Sequence, residues 1–237
     1  MRFYRRKKKP SGNQDFETFR SKISWFLNSN SKILFNQSEE LRLSKEFKTA
    51  FPNLTKLILR SRQTYLTIDQ TNYILFAWDT VDGQICGWLN QQESEEEYKY
   101  ELIEEHRLLL RNIGGIKESF NQSDDSFTNN QNWLFIGSEC LKGIGDYDGY
   151  YSMKCEEEGK KELEHAGLIT FVYEVNGALT LYDPITKRVL LFSHDHSYEN
   201  IDFMANQPKY TFHTFKKVDS FSDYVEELAN QLLRIIR

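Results

Sequence analysis

His194 and His196 stand two residues apart in the run His194-Asp195-His196. On an extended chain alternate side chains share a face, so the two imidazoles would point one way and Asp195 the other. Neutral imidazole is a common metal ligand, and this is usable ligand spacing. No third ligand is evident, because His106 falls in an apolar helical stripe and His165 in a polar segment. A second arrangement would pair Cys140 or Cys155 with His194 or His196 for nucleophilic chemistry. A reactive thiol needs electropositive surroundings. Cys155 instead precedes Glu156-Glu157-Glu158, and Cys140 follows Glu139. A third feature is Gly143-Ile144-Gly145-Asp146-Tyr147-Asp148-Gly149, which shares part of a calcium-loop pattern. The further acids and the distal Glu of that pattern are missing, so a turn-rich loop is expected. No cofactor and no metal are expected from these groups.

The elements that would position them are clearest at the C-terminal end. From Leu168 the chain reads strand, Asn176-Gly177 turn, strand, Asp183-Pro184 turn, strand, the histidine loop and one more strand. A closing helix follows, capped by Ser220 with Asp223 three residues on. Its buried face is Phe221, Tyr224, Val225, Leu228, Leu232 and Ile235. Further upstream, helical spacing predicts a helix over Asp15 to Leu27 and another from a Ser38 cap to Phe51, stopped by Pro52-Asn53. Short strand-like runs follow at Lys56–Arg60, Thr64–Ile68, Tyr73–Trp78 and Gln84–Leu89. Ser94 and Glu97 form a capping-box signature for a long helix to about Asn112, closed by Gly114-Gly115. His106 on that helix is expected to be a satisfied core histidine. Residues 121–132 form a surface loop, Trp133–Ile136 a short strand, and 137–161 a loop. The expected class is α+β, with largely antiparallel meander strands flanked by helices. The expected organisation is a disordered basic tail over 1–13, an N-terminal extension or small subdomain over 14–92, and a main domain over 93–237.

Composition narrows the function classes. The first ten residues carry Arg2, Arg5, Arg6, Lys7, Lys8 and Lys9, and the rest of the chain holds 24 basic against 35 acidic residues, a balance of -11. Such a body repels nucleic acid and anionic lipid and attracts basic partners. No apolar run approaches the roughly 20 residues that span a bilayer. No apolar stretch follows the basic start, so no secretory signal is expected. Three widely spaced cysteines fit free thiols in a reducing compartment, so a cytoplasmic location is expected.

A helix ending in the run from His106 through Gly114, Gly115 and Ile116 leads, after a loop, to Trp133. The Gly/Asp-rich loop, a strand meander and a final Ser-Phe-Ser-Asp-Tyr helix complete the order. From about Ser94 to Arg237 this resembles the SUKH superfamily, which includes the yeast cell-wall-synthesis regulators and many bacterial immunity proteins. The resemblance implies a non-enzymatic α+β domain that binds a protein partner, with Gly114 and Gly115 as a structural motif. Many bacterial members neutralise a toxin by occluding its active site, and basic toxin domains would suit the acidic body. Candidate interface residues are the aromatics and acids of the loops: Trp133, Asp146, Tyr147, Asp148, Tyr150 and Tyr151. Two other readings stay open. One is a metal- or Cys-dependent hydrolase using His194 and His196; the other is a regulatory scaffold with a basic N-terminal arm.

Overall fold

Short β-forming runs separated by turn residues pair in nearly the order in which they occur. The computed structural model describes residues 12–37, 41–123, 126–128, 131–194 and 200–237. The first strands are β1 (Ile33–Phe35), β2 (Arg62–Ile68), β3 (Thr71–Asp79), β4 (Ile85–Gln91), β5 (Gly115–Phe120) and β6 (Gln131–Leu134). Then come β7 (Leu141–Lys142), β8 (Ile169–Glu174), β9 (Leu179–Tyr182), β10 (Val189–Phe192), β11 (Ile201–Phe203) and β12 (Phe212–Phe215). They form one open antiparallel sheet in the order β1-β2-β3-β4-β5-β6-β8-β9-β10-β12-β11, with β7 also paired to β8. The helices are α1 (Gly12–Lys22), α2 (Lys45–Ala50), α3 (Pro52–Leu59), α4 (Glu104–Ile113), α5 (Asp148–Glu157) and α6 (Phe221–Ile235). The class is α+β, as the sequence predicts. The expected boundary at 93 lies within this sheet, because β4 before it pairs with β5 after it.

Helices cover both faces. On one face α6 lays Phe221, Tyr224, Val225, Leu228 and Leu232 into a core shared with α3, α4 and the β3 residues Ile74, Phe76 and Trp78. On the other face α1 packs Phe16 and Phe19 against Leu66, Leu75, Leu89 and Phe120. Farther along that second face α5 packs Tyr151 and Cys155 against Leu179, Leu181, Leu190, Phe192 and Phe212. β3 is therefore buried at six consecutive positions, the pattern of a strand covered on both sides. Ser220 and Asp223 form the expected capping box on α6. Glu226 of α6 also accepts from the backbone N–H groups of Asn53 (2.9 Å) and Leu54 (3.1 Å). A carboxylate at the positive end of α3 is favourable and locks the two helices together.

Several expected elements differ. α1 ends at Lys22 rather than Leu27. Ser38 lies outside the described residues; α2 is capped by Ser44, whose Oγ accepts from Phe47 N at 3.1 Å. Pro52 opens α3 rather than stopping a helix, since its missing N–H costs nothing in a first turn. The expected strand at Lys56–Arg60 is the end of that helix, because a short apolar run fits either period. Ser94 caps only a 3₁₀ turn at Glu95–Glu97, and α4 begins at Glu104. The expected loop over 137–161 contains β7 and α5.

His106 is a core histidine. It is fully buried, with Nε2 2.7 Å from the Phe135 carbonyl oxygen and Nδ1 3.3 Å from the Tyr182 hydroxyl. The rings of Phe135, Phe171, Tyr182 and Phe221 enclose it. The carbonyl can only accept, so Nε2 carries the proton and Nδ1 accepts from Tyr182. Loss of solvation pushes its pKa down from 6.5 to about 4. The unfolded chain takes up this proton below pH 6.5 while the folded chain does not. The neutral imidazole thus contributes fully above that pH, and stability falls by about 3 kcal/mol as the pH drops towards 4. A pH titration of the His106 ring by NMR should show it neutral at pH 5. A midpoint near 6.5 would contradict its burial.

Candidate partner-binding face

Glycine turns bring the acidic loop into helical form. Gly143 and Gly145 adopt φ of 62° and 58°, and a 3₁₀ turn at Gly145–Tyr147 runs directly into α5. Asp146 and Asp148 are exposed, and Tyr147 and Tyr150 are half-buried. The Tyr147 ring stacks on His194 at 4.8 Å and packs on Phe192 at 5.4 Å. It sits so close to the Asn176-Gly177 turn that a Cβ at Gly177 would fall 2.0 Å from its hydroxyl. The Tyr150 hydroxyl donates to the His194 carbonyl oxygen at 3.2 Å. His165 bridges the Leu163 carbonyl oxygen (3.0 Å) and the Asp148 carboxylate (2.9 Å).

Tyr151 is placed differently from its expected surface role. It is fully buried, its hydroxyl accepts from Leu163 N at 2.6 Å and donates to Gln207, and burial raises its pKa. It holds the 159–167 loop against α5 and offers no surface to a partner. Trp133 is also largely covered, at 7% exposure, and stacks on Tyr173 at 6.4 Å. Tyr173 in turn packs against the core under α5, so Trp133 shares a sheet face with the acidic helix. Gly114 and Gly115 stand where α4 turns into β5, and they shape the backbone rather than the surface.

Charge on this end is lopsided. Between Asp146 and Glu164 the chain carries Asp146, Asp148, Glu156, Glu157, Glu158, Glu162 and Glu164, every one exposed. Lys154, Lys160 and Lys161 offset only part of that charge, and Lys154 is paired with Glu157 at 2.7 Å. Rigid half-buried tyrosines rimmed by carboxylates suit a basic protein surface, because aromatic anchors supply area and the acids steer encounter.

The other candidate chemistries find less support. Cys86, Cys140 and Cys155 are all buried and unpaired. Desolvation pushes the Cys86 thiol up to about 12 and raises those of Cys140 and Cys155 as well, with Glu158 and Glu162 adding to the effect at Cys155. Thiols held protonated are poor nucleophiles. Among the described residues no group of three or more His, Cys, Asp or Glu is arranged to hold a metal ion. Asp195, His196 and the basic tail lie outside the described residues. Among the described residues no helix is long and apolar enough to cross a membrane.

The same sheet face holds residues that the sequence does not single out. Between the parts covered by α1 and α5 lies a shallow cleft of about 360 Å³, lined by Lys99, Lys117, Glu118, Trp133, Glu139 and Tyr173, among others. Glu118 is half-buried there, and loss of solvation lifts its pKa to about 7. A register shift between Leu89 and Asn90 puts Ile116 on the opposite sheet face from Glu118 and Phe120, so β5 shows no simple alternation and its polar run Lys117-Glu118-Ser119 hides it. Comparison with protein-family models, with characterised proteins and with solved structures gives no significant match.

Proposed function

We propose that this chain is a non-enzymatic protein-binding module of the SUKH type. In this reading it is an immunity protein that binds a basic toxin domain and blocks its active site. The observation that carries the reading is the end of the sheet under α5, where Tyr147 and Tyr150 are locked in place amid exposed carboxylates. Preorganised aromatic anchors lose little conformational entropy on binding. Surrounding acids favour a positively charged partner and raise the association rate. The reading places the protein in the cytoplasm, where a toxin made by the same cell would first be met.

Replacing both Asp146 and Asp148 with Lys should weaken binding to the basic protein partner by about tenfold or more, or ~1.4 kcal/mol. Both side chains are exposed, so the fold should tolerate the change. Calorimetric titration measures the dissociation constant. An unchanged value would remove this face from the interface.

A further inference from the structure

The cleft between α1 and α5 has features that the acidic end of α5 lacks. We infer that it seats an arginine side chain of a basic protein partner, with Glu118 as the carboxylate and Trp133 and Tyr173 as the aromatic wall. The inference rests on the protein-binding reading but concerns a separate set of residues. Lys117 on β5 sits beside Glu118 in sequence, yet its ammonium turns to Glu139 at 3.5 Å. Glu118 makes no ion pair among the described residues. The Trp25 indole approaches it as a hydrogen-bond donor from the connection between α1 and β1, and the Lys117 charge acts on it through space. Trp25 is itself 72% exposed, the most exposed tryptophan among the described residues.

A desolvated carboxylate with no cation in direct contact is unfavourable, and a cation that pairs with it relieves it. Glu118 therefore lies in a position that a guanidinium would improve. Guanidinium suits the site better than ammonium. It is planar and weakly hydrated, stacks on aromatic faces, and binds carboxylates through two parallel hydrogen bonds. The half-buried Tyr173 ring lines the cleft next to the largely covered Trp133, on which it stacks, and offers such a face. Lys99 and Lys117 also line it, so its selectivity comes from the local placement of Glu118 and the rings. The net charge of the whole chain supplies the long-range attraction.

The test uses acetyl-tetra-arginine amide as the probe, added to the full chain labelled with nitrogen-15. The indole N–H signals of Trp133 and Trp25 report occupancy. At pH 8 both signals should move and saturate. Glu118→Gln, which keeps size and hydrogen bonding, should weaken the peptide by about tenfold. Binding to the unaltered chain should also weaken between pH 8 and pH 6, as Glu118 gains its proton beside Lys99, Lys117 and Glu139. Unmoved indole signals, or equal movement in Glu118→Gln, would overturn the inference. The probe contains no natural partner. A blank here, with partner binding still sensitive to Asp146 and Asp148, removes the arginine seat alone. Loss of that sensitivity removes the broader reading.

Discussion

Replacing Arg62 with Met is expected to destabilise the protein by about 3–5 kcal/mol, because it leaves a buried carboxylate without its counter-ion. Asp15 on α1 is only 1% exposed, and Arg62 on β2 grips it through Nε and Nη2, each at 2.9 Å. The same guanidinium reaches Asp79 on β3 at 3.1 Å. One side chain thus fastens α1 to the sheet and satisfies two carboxylates. Removing Asp15 as well, as Asp15→Leu with Arg62→Met, should recover much of the loss, since an apolar pair of similar volume has no charge to desolvate. Urea denaturation of the two variants measures both effects. A loss below about 1 kcal/mol for Arg62→Met would mean that Asp15 finds solvent when its partner is gone.

The second large effect is expected at the paired glycines. Gly114 ends α4 with φ of 73°, and a Cβ there would lie 2.2 Å from the Gln91 carbonyl oxygen. Left-handed backbone costs an L-residue about 1–2 kcal/mol, and an unrelieved contact adds about 1–3 kcal/mol. Gly115 has an ordinary φ, but a Cβ would meet the Ile136 backbone nitrogen at 2.7 Å. That contact is with main chain, so it cannot be relieved by a rotamer change. Asn90 Nδ2 and Gln92 Nε2 both donate to the Ile113 carbonyl oxygen at 3.0 Å, closing the helix end over this approach. Gly114→Ala and Gly115→Ala should each cost about 2–4 kcal/mol in chemical denaturation. Either variant within about 0.5 kcal/mol of the parent would show that β4, β5 and β6 shift easily. Because Gly115 sets how closely β5 meets the chain after β6, it also sets the spacing of Glu118 and Trp133.

Local signals carried much of the fold. Ser220 and Asp223 announce α6, whose apolar stripe follows helical spacing without a break. The β3 run is apolar at nearly every position, and Gly114 marks the end of α4. The failures also have local causes. In α5 the larger apolar residues, Tyr150, Tyr151, Met153 and Cys155, do not fall on one stripe, and Gly149 and three glutamates obscure the helix. Its formation depends on the sheet below, into which Tyr151 and Cys155 pack. Ser94 and Glu97 carry the residue types of a helix cap but are followed by six residues, 98–103, before α4 starts. Of the expected interface residues, composition could not tell exposed Asp146 and Asp148 from buried Tyr151, since all three sit in one polar run. The Asp15–Arg62 pair spans 47 positions, a separation that no local pattern encodes. Glu118 became visible only when β5, β6 and β8 were placed side by side.

The central claim is that the acidic end of α5 captures a basic protein. The most direct measurement is affinity capture of the tagged chain from its own cells, with the Asp146→Lys, Asp148→Lys variant run in parallel and both read by mass spectrometry. The expected result is one stoichiometric basic partner with the parent chain and its loss with the variant. A sensitive blank with the parent chain, or the same partner held equally by both, would contradict the account.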